Sequence, residues 1–184
     1  EDSIYHSAAY LGDSVFRRTA NLAFTVYWGA AHFGGCVFAG QAWLGNCVWF
    51  GGADFSGVKF KKKTDFEEAR LMGTADFSGV SFARVPAFTD GVFNAAAENL
   101  FEVSAKSKQP LPLAGGVPQE ARALSAAERQ VLAERLQAAG AGRETNAREF
   151  EQPRSELIRW VRYEVAGTPD EAEADSAGVF TEAA

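Results

Sequence analysis

Large apolar side chains recur along the first half of this chain in alternating steps of five and six residues. The series runs Tyr5, Leu11, Phe16, Leu22, Tyr27, Phe33, Phe38, Leu44, Trp49, Phe55, Phe60, Phe66, Leu71, Phe77, Phe82, Phe88, Phe93: 17 positions without a miss. Two residues before each anchor the side chain is short, as at Ala9, Ala20, Ala31, Cys36, Cys47, Ala53 and Ala75. The unit is therefore eleven residues. An eleven-residue period can wind a right-handed coiled coil, but steps of five would set successive anchors about 140° apart on a helix and leave no stripe. The 12 glycines before residue 97 would each cost a helix roughly 1 kcal/mol. The pattern predicts instead a solenoid of short extended segments, each burying its anchor by stacking on its neighbours.

A short residue, Asp or Asn, then Phe or Leu, then two variable residues, as in "ADFSG" (53–57 and 75–79), "TDFEE" (64–68) and "ANLAF" (20–24), resembles the pentapeptide-repeat proteins. The Phe-rich form with five- and six-residue spacing is the nearest likeness, over residues 3 to about 100. The resemblance implies a mainly β architecture: a right-handed, four-sided β-solenoid with anchor and short residue both pointing inward. The family's plain form has four fives per lap. Here four anchors take 22 residues, so the chain would make about four laps and the extra residue of each unit should sit at a corner. "ADFSGVKF" (53–60) and "ADFSGVSF" (75–82) start 22 residues apart and should stack one lap apart, roughly 4.8 Å along the axis.

The four faces can then be written out. Leu11, Phe33, Phe55 and Phe77 anchor face one, small and polar outside. Phe16, Phe38, Phe60 and Phe82 anchor face two, which is basic around Lys61, Lys62 and Lys63. Leu22, Leu44, Phe66 and Phe88 anchor face three, acidic toward its end. Face four holds Tyr27, Trp49, Leu71 and Phe93, and the residues flanking them should point outward: Val26, Trp28, Val48, Phe50, Arg70, Met72, Val92 and Asn94. Val26, Trp28, Val48, Phe50 and Met72 would form an apolar strip, and such strips mark interfaces. Two coverings stay open: the chain's own C-terminal helix, or a partner, either another protein or a second copy in a homodimer.

The rhythm slips after Phe93, where the next anchor, Leu100, falls one position late. The solenoid is accordingly bounded at residues 1–103. Residues 104–119, containing "KSKQPLPLAGGVPQ", read as a linker. Residues 120–166 read as a helical appendage that caps or flanks the last lap. Ser125 and Glu128 in "SAAE" make a capping box; that helix runs through Leu132 and Leu136 and stops near Gly140. A second helix starts near Pro153 or Ser155, with Leu157, Ile158, Val161 and Val165 on one stripe. Residues 167–184 read as a mobile acidic tail.

Composition and charge narrow the function classes. A net charge of −6 without a long basic cluster argues against nucleic acid or anionic lipid as partner. The uncharged run Thr19–Ala53 is glycine-rich, holds Asn21, His32, Gln41 and Asn46, and keeps the repeat, so it does not read as a membrane span. Cys36 and Cys47 occupy the inward short position, and no Cys, His or carboxylate cluster has ligand spacing. Asp54 and Asp76 stand one lap apart with no nucleophile or base beside them. No metal, cofactor, small-molecule substrate or catalytic residue is expected, and few cysteines with no leader suggest a reducing, cytoplasmic setting. The reading is a non-catalytic scaffold that binds a protein. The family resemblance adds an alternative, a rod that mimics duplex DNA and protects a DNA topoisomerase such as gyrase, although face two is basic.

Overall fold

The computed structural model describes residues 3–104, 107, 111–114, 116–141 and 150–165. Two-residue strands pair in parallel with the strand 22 residues away. Ile4 lies beside Val26, Ala53 between Ala31 and Ala75, Lys59 between Val37 and Ser81, and Thr64 beside Ala42. Strands of successive laps thus build four parallel sheets, a β-solenoid of about four laps followed by two helices. Interlap backbone hydrogen bonds of 2.7 to 3.4 Å hold the spacing, for example from Phe55 to the Asp76 carbonyl at 2.7 Å and from Phe50 to the Tyr27 carbonyl at 2.9 Å.

The extra residue of each unit falls in the six-residue steps that follow faces two and four, and the five-residue steps turn at the corners that follow faces one and three. There the left-handed region recurs every eleven residues, at Asp13, Phe24, Gly35, Asn46, Gly57, Glu68, Gly79 and Asp90. Glycine, Asn and Asp take this conformation with least strain. Inside, the anchors form four columns, largely of aromatic rings with leucines among them. Phe33, Phe55 and Phe77 stack at 4.9 and 5.0 Å, and Phe16, Phe38, Phe60 and Phe82 at 4.6, 5.0 and 5.2 Å. Neighbouring columns meet edge-on, as between Phe55 and Phe66 at 5.5 Å. Each fully buried ring contributes on the order of 1.5–3 kcal/mol by leaving water, which offsets the cost of ordering such short strands.

Two stretches differ from the sequence expectation. Leu100 is not the next anchor: it is exposed, and Phe101 stacks on Phe77 at 5.6 Å. This lap is two residues longer, and asparagines accommodate the excess. The Asn94 side chain donates to the Met72 carbonyl, and the Asn99 side chain accepts from the Ala75 amide and donates to the Asn94 carbonyl. The presumed linker also has structure within its described residues. Strands Leu113–Ala114 and Val117–Pro118 make a hairpin, Leu111 and Val117 pack onto the solenoid core, and Ala121–Ala123 extends face four beside Gly91–Phe93. The end of the rod is therefore closed by this segment, while the helices flank a face. The acidic tail at 167–184 lies outside the described residues.

Helix α1 spans Ala126–Ala138. Its capping box is complete: Ser125 Oγ accepts from the Glu128 amide at 3.2 Å and the Glu128 carboxylate accepts from the Ser125 amide at 2.7 Å. Gly140, at φ +72, lets the chain turn back so that the Ala141 and Gly140 amides reach the Leu136 and Gln137 carbonyls. Helix α2 spans Glu151–Tyr163, with Pro153 in its first turn. Glu128 is also paired with Arg122 at 2.7 Å. That guanidinium, helped by the Ser125 donors, holds the Glu128 carboxyl down at about 2. A depressed carboxylate stabilises the fold fully above its ordinary value of 4.5 and loses that contribution as pH falls through about 2. Glu128→Ala should therefore cost roughly 1–2 kcal/mol at neutral pH, with the deficit shrinking on acidification. Urea denaturation of both proteins at several pH values checks this; a deficit independent of pH would mean the carboxylate is not the cap.

Candidate interaction surfaces

Face four lies beneath the helices. Val26, Val48, Phe50, Met72 and Val92 share one buried cluster with Leu124, Leu132, Leu157, Trp160, Val161 and Val165, and Trp28 packs on its margin against Phe50 at 4.5 Å. The side chains do point away from the lap, into the chain's own α1 and α2. Two arginines fasten this cover. Arg70 is buried and donates from Nε to the Val161 carbonyl at 3.3 Å and from Nη1 to the Asp90 carbonyl at 2.7 Å. Arg154 stands 5.0 Å over the Trp28 ring and donates to the Ala139 carbonyl at the end of α1. Sequence reasoning assigned neither latch, because each acts on a carbonyl from a distant element.

On face one Tyr10 stacks on His32 at 4.8 Å, and His32 Nδ1 stands 3.9 Å from Asp54. Asp54 and Asp76 are occupied by their own turns. Asp54 Oδ1 accepts from the Ser56 amide and hydroxyl, at 2.9 and 2.6 Å, and Asp76 Oδ1 from the Ser78 amide at 2.7 Å. The carboxylate pair is thus explained by folding. The cysteines are too: Cys36 and Cys47 donate to the Leu11 and Leu22 carbonyls of the preceding lap, and burial pushes the Cys47 thiol up to about 12 and raises Cys36 as well. Among the described residues no three His, Cys, Asp or Glu side chains gather as a metal site would require, and no helix is long and apolar enough to cross a membrane.

Two further surfaces stand open among the described residues. The first is a shallow depression of about 360 Å³ on face three, lined by Asn21, Ala23, Phe24, Trp43, Gly45, Asn46, Asp65 and Glu67. Phe24 fills a corner position whose φ is +60, yet the residue is 52 % exposed. Trp43 stands beside it, half-buried, and already carries a cation, the Lys63 ammonium, 5.1 Å from its ring. Arg162 ties the corner to α2 by donating to the Phe24 carbonyl at 2.9 Å. The sequence signal was present and missed: Phe24 is the one aromatic in a column otherwise made of Gly, Asn, Asp and Glu. The second surface is the first lap itself, where Ile4, Tyr5, Tyr10 and Val15 are exposed.

A family model described as "Pentapeptide repeats (9 copies)" matches residues 28–70 and, in an overlapping placement, 44–92. No curated protein and no solved structure matches the chain.

Proposed function

The chain is a pentapeptide-repeat protein, and from that premise we propose that it works as a non-catalytic scaffold whose face three docks a basic segment of a partner protein. The observation that carries this reading is Phe24. A side chain at positive φ costs about 1–2 kcal/mol, and here that strain holds an aromatic ring in water instead of burying it. Strain retained at an exposed aromatic supports a role in binding. The surroundings suit a cation: Trp43 and Phe24 offer ring faces and Glu67 offers a carboxylate, while Asp65 keeps one oxygen beyond the Oδ1 that accepts from the Glu67 amide. Lys63 over Trp43 supports the same chemistry from within the molecule.

The test is calorimetric titration of the full chain with a Lys/Arg-rich peptide and with its neutral counterpart. Binding should prefer the basic peptide, weaken as salt rises, and fall roughly 10-fold or more in Trp43→Ala, a loss of about 1.4 kcal/mol. Phe24→Gly should separate function from folding. It relieves the corner and is expected to stabilise the protein by about 1 kcal/mol while weakening the peptide. Equal affinity for both peptides would overturn the reading. The alternative, a duplex-mimicking rod that protects a DNA topoisomerase, gains no observation of its own: Asp54 and Asp76 are taken up by turns, and face two presents Lys59, Lys61 and Lys62.

A further inference from the structure

We propose that face two is a second docking surface of the scaffold, and that it takes an extended acidic segment of a partner protein. Arg17, Arg18, Lys59, Lys61, Lys62 and Arg84 all stand exposed on it. The face itself, residues 14–19, 36–41, 58–63 and 80–85, contains no Asp or Glu. Lys63 at its corner reaches over Trp43 of face three. Among the described residues no ion pair engages the other six cations.

The lap dictates how these charges are arranged. Arg18, Gly40, Lys62 and Arg84 each come two residues after an anchor, respectively Phe16, Phe38, Phe60 and Phe82. Residues at one register position on successive laps are neighbours, about 4.8 Å apart along the axis. Like charges so placed repel, and no carboxylate on the face relieves Lys62 and Arg84. Arg70 and Arg154 are tied to carbonyls of distant elements; the cations of face two have no such task in folding. An anion laid along the face would relieve them. Lap two lacks a cation for a steric reason: a Cβ at Gly40 would stand 2.3 Å from the Arg18 carbonyl carbon and oxygen. With Val37 and Ala39 beside Gly40, the strip has cations toward both ends and a small apolar middle.

The width of the strip decides the class of partner. Carboxylates border it, Asp13, Asp54 and Asp76 on the face-one side and Asp65, Glu67 and Glu68 on the face-three side. A nucleic-acid duplex or a membrane surface is broader than one face and would meet those carboxylates. A single nucleic-acid strand fits the width but binds by stacking its bases on aromatic platforms. The residues flanking the four anchors of face two include no aromatic. An acidic peptide needs only the cations and the narrow middle, and complementary charge of this kind selects partners and speeds their encounter.

Calorimetric titration of the 184-residue chain with a Glu/Asp-rich peptide and with its Gln/Asn counterpart tests this. Lys62→Glu probes the strip. Arg159→Glu is the control, since Arg159 is exposed on α2 and its reversal changes the net charge equally. The acidic peptide should bind and the neutral one should not, with affinity falling as salt rises. Lys62→Glu should weaken binding roughly 10-fold, and Arg159→Glu less than about 2-fold, both with unchanged circular dichroism spectrum and melting temperature. Equal binding of the two peptides, an equal loss in the two variants, or tighter binding of a single-stranded oligonucleotide or of phosphatidylserine vesicles would each overturn the proposal. So would no binding at all, whether the face is inert or the chain's own acidic residues at 167–184 occupy it. The basic-peptide titration reads face three, so either result can fail while the other holds.

Discussion

Gly73→Ala is expected to cost more than about 4 kcal/mol, enough to unfold a domain of ordinary stability. A Cβ added at Gly73 would stand 2.2 Å from the Gly51 carbonyl oxygen and 2.6 Å from its carbon. The same contact recurs one lap earlier, where a Cβ on Gly51 would meet the Gly29 carbonyl carbon at 2.4 Å. At this corner the backbone of one lap passes directly under the Cα of the next. The lap cannot rise to make room, since the Met72 amide is bonded to the Trp49 carbonyl at 2.9 Å and the Gly73 amide to the same oxygen at 3.2 Å. The penalty is one of space, and Gly57→Ala is the control. Gly57 has φ +65 but nothing within 4 Å of a Cβ, so alanine there should cost only about 1–2 kcal/mol of left-handed strain. Urea denaturation of the two variants side by side reads the difference; equal costs would mean that the interlap approach is not what the glycine serves.

Leu157→Glu should have the second large effect, and of a different kind. Leu157 is fully buried between α2 and face four, and an unpaired carboxylate there should cost the docked arrangement more than about 4 kcal/mol. The solenoid interior is a separate apolar cluster from the one under the helices. The expected result is therefore undocking of α2 with the rod still folded. Amide exchange should accelerate across residues 151–163 while the strands of laps two to four stay protected. The uncovered Val26, Val48, Phe50 and Met72 should bind a hydrophobic dye. Loss of the rod together with the helix would show that the two clusters fold as one unit.

Much of this architecture is legible in the sequence because a solenoid makes its long-range contacts at a fixed separation. Phe33, Phe55 and Phe77 must stack if the lap is 22 residues, so a one-dimensional count yields three-dimensional neighbours. The capping box at Ser125 and Glu128 and the stop at Gly140 are legible for a related reason, each being decided within a few residues. The misses have the opposite character. Whether α2 or another molecule covers Val48 and Phe50 depends on elements a hundred residues away, and on Arg70, whose charge suggested solvent rather than a bond to the Val161 carbonyl. At the rhythm slip two adjacent apolar residues, Leu100 and Phe101, competed for one inward place, and the count could not choose between them. The prolines around Leu111 and Val117 marked the segment as a linker, although both side chains fill the end of the core. Phe24 was legible as an exception to its column, and only the exposed ring beside Trp43 gave the exception a use.

The most direct test of the central claim is the pattern of proton–proton contacts in solution by nuclear Overhauser spectroscopy. Backbone protons of Ala31, Ala53 and Ala75 should show contacts from lap to lap, and the Val48 and Met72 side chains should contact Leu157 and Val161. Contacts at three- and four-residue spacing through residues 5–93, laps of another length, or a face four without contact to α2 would contradict it.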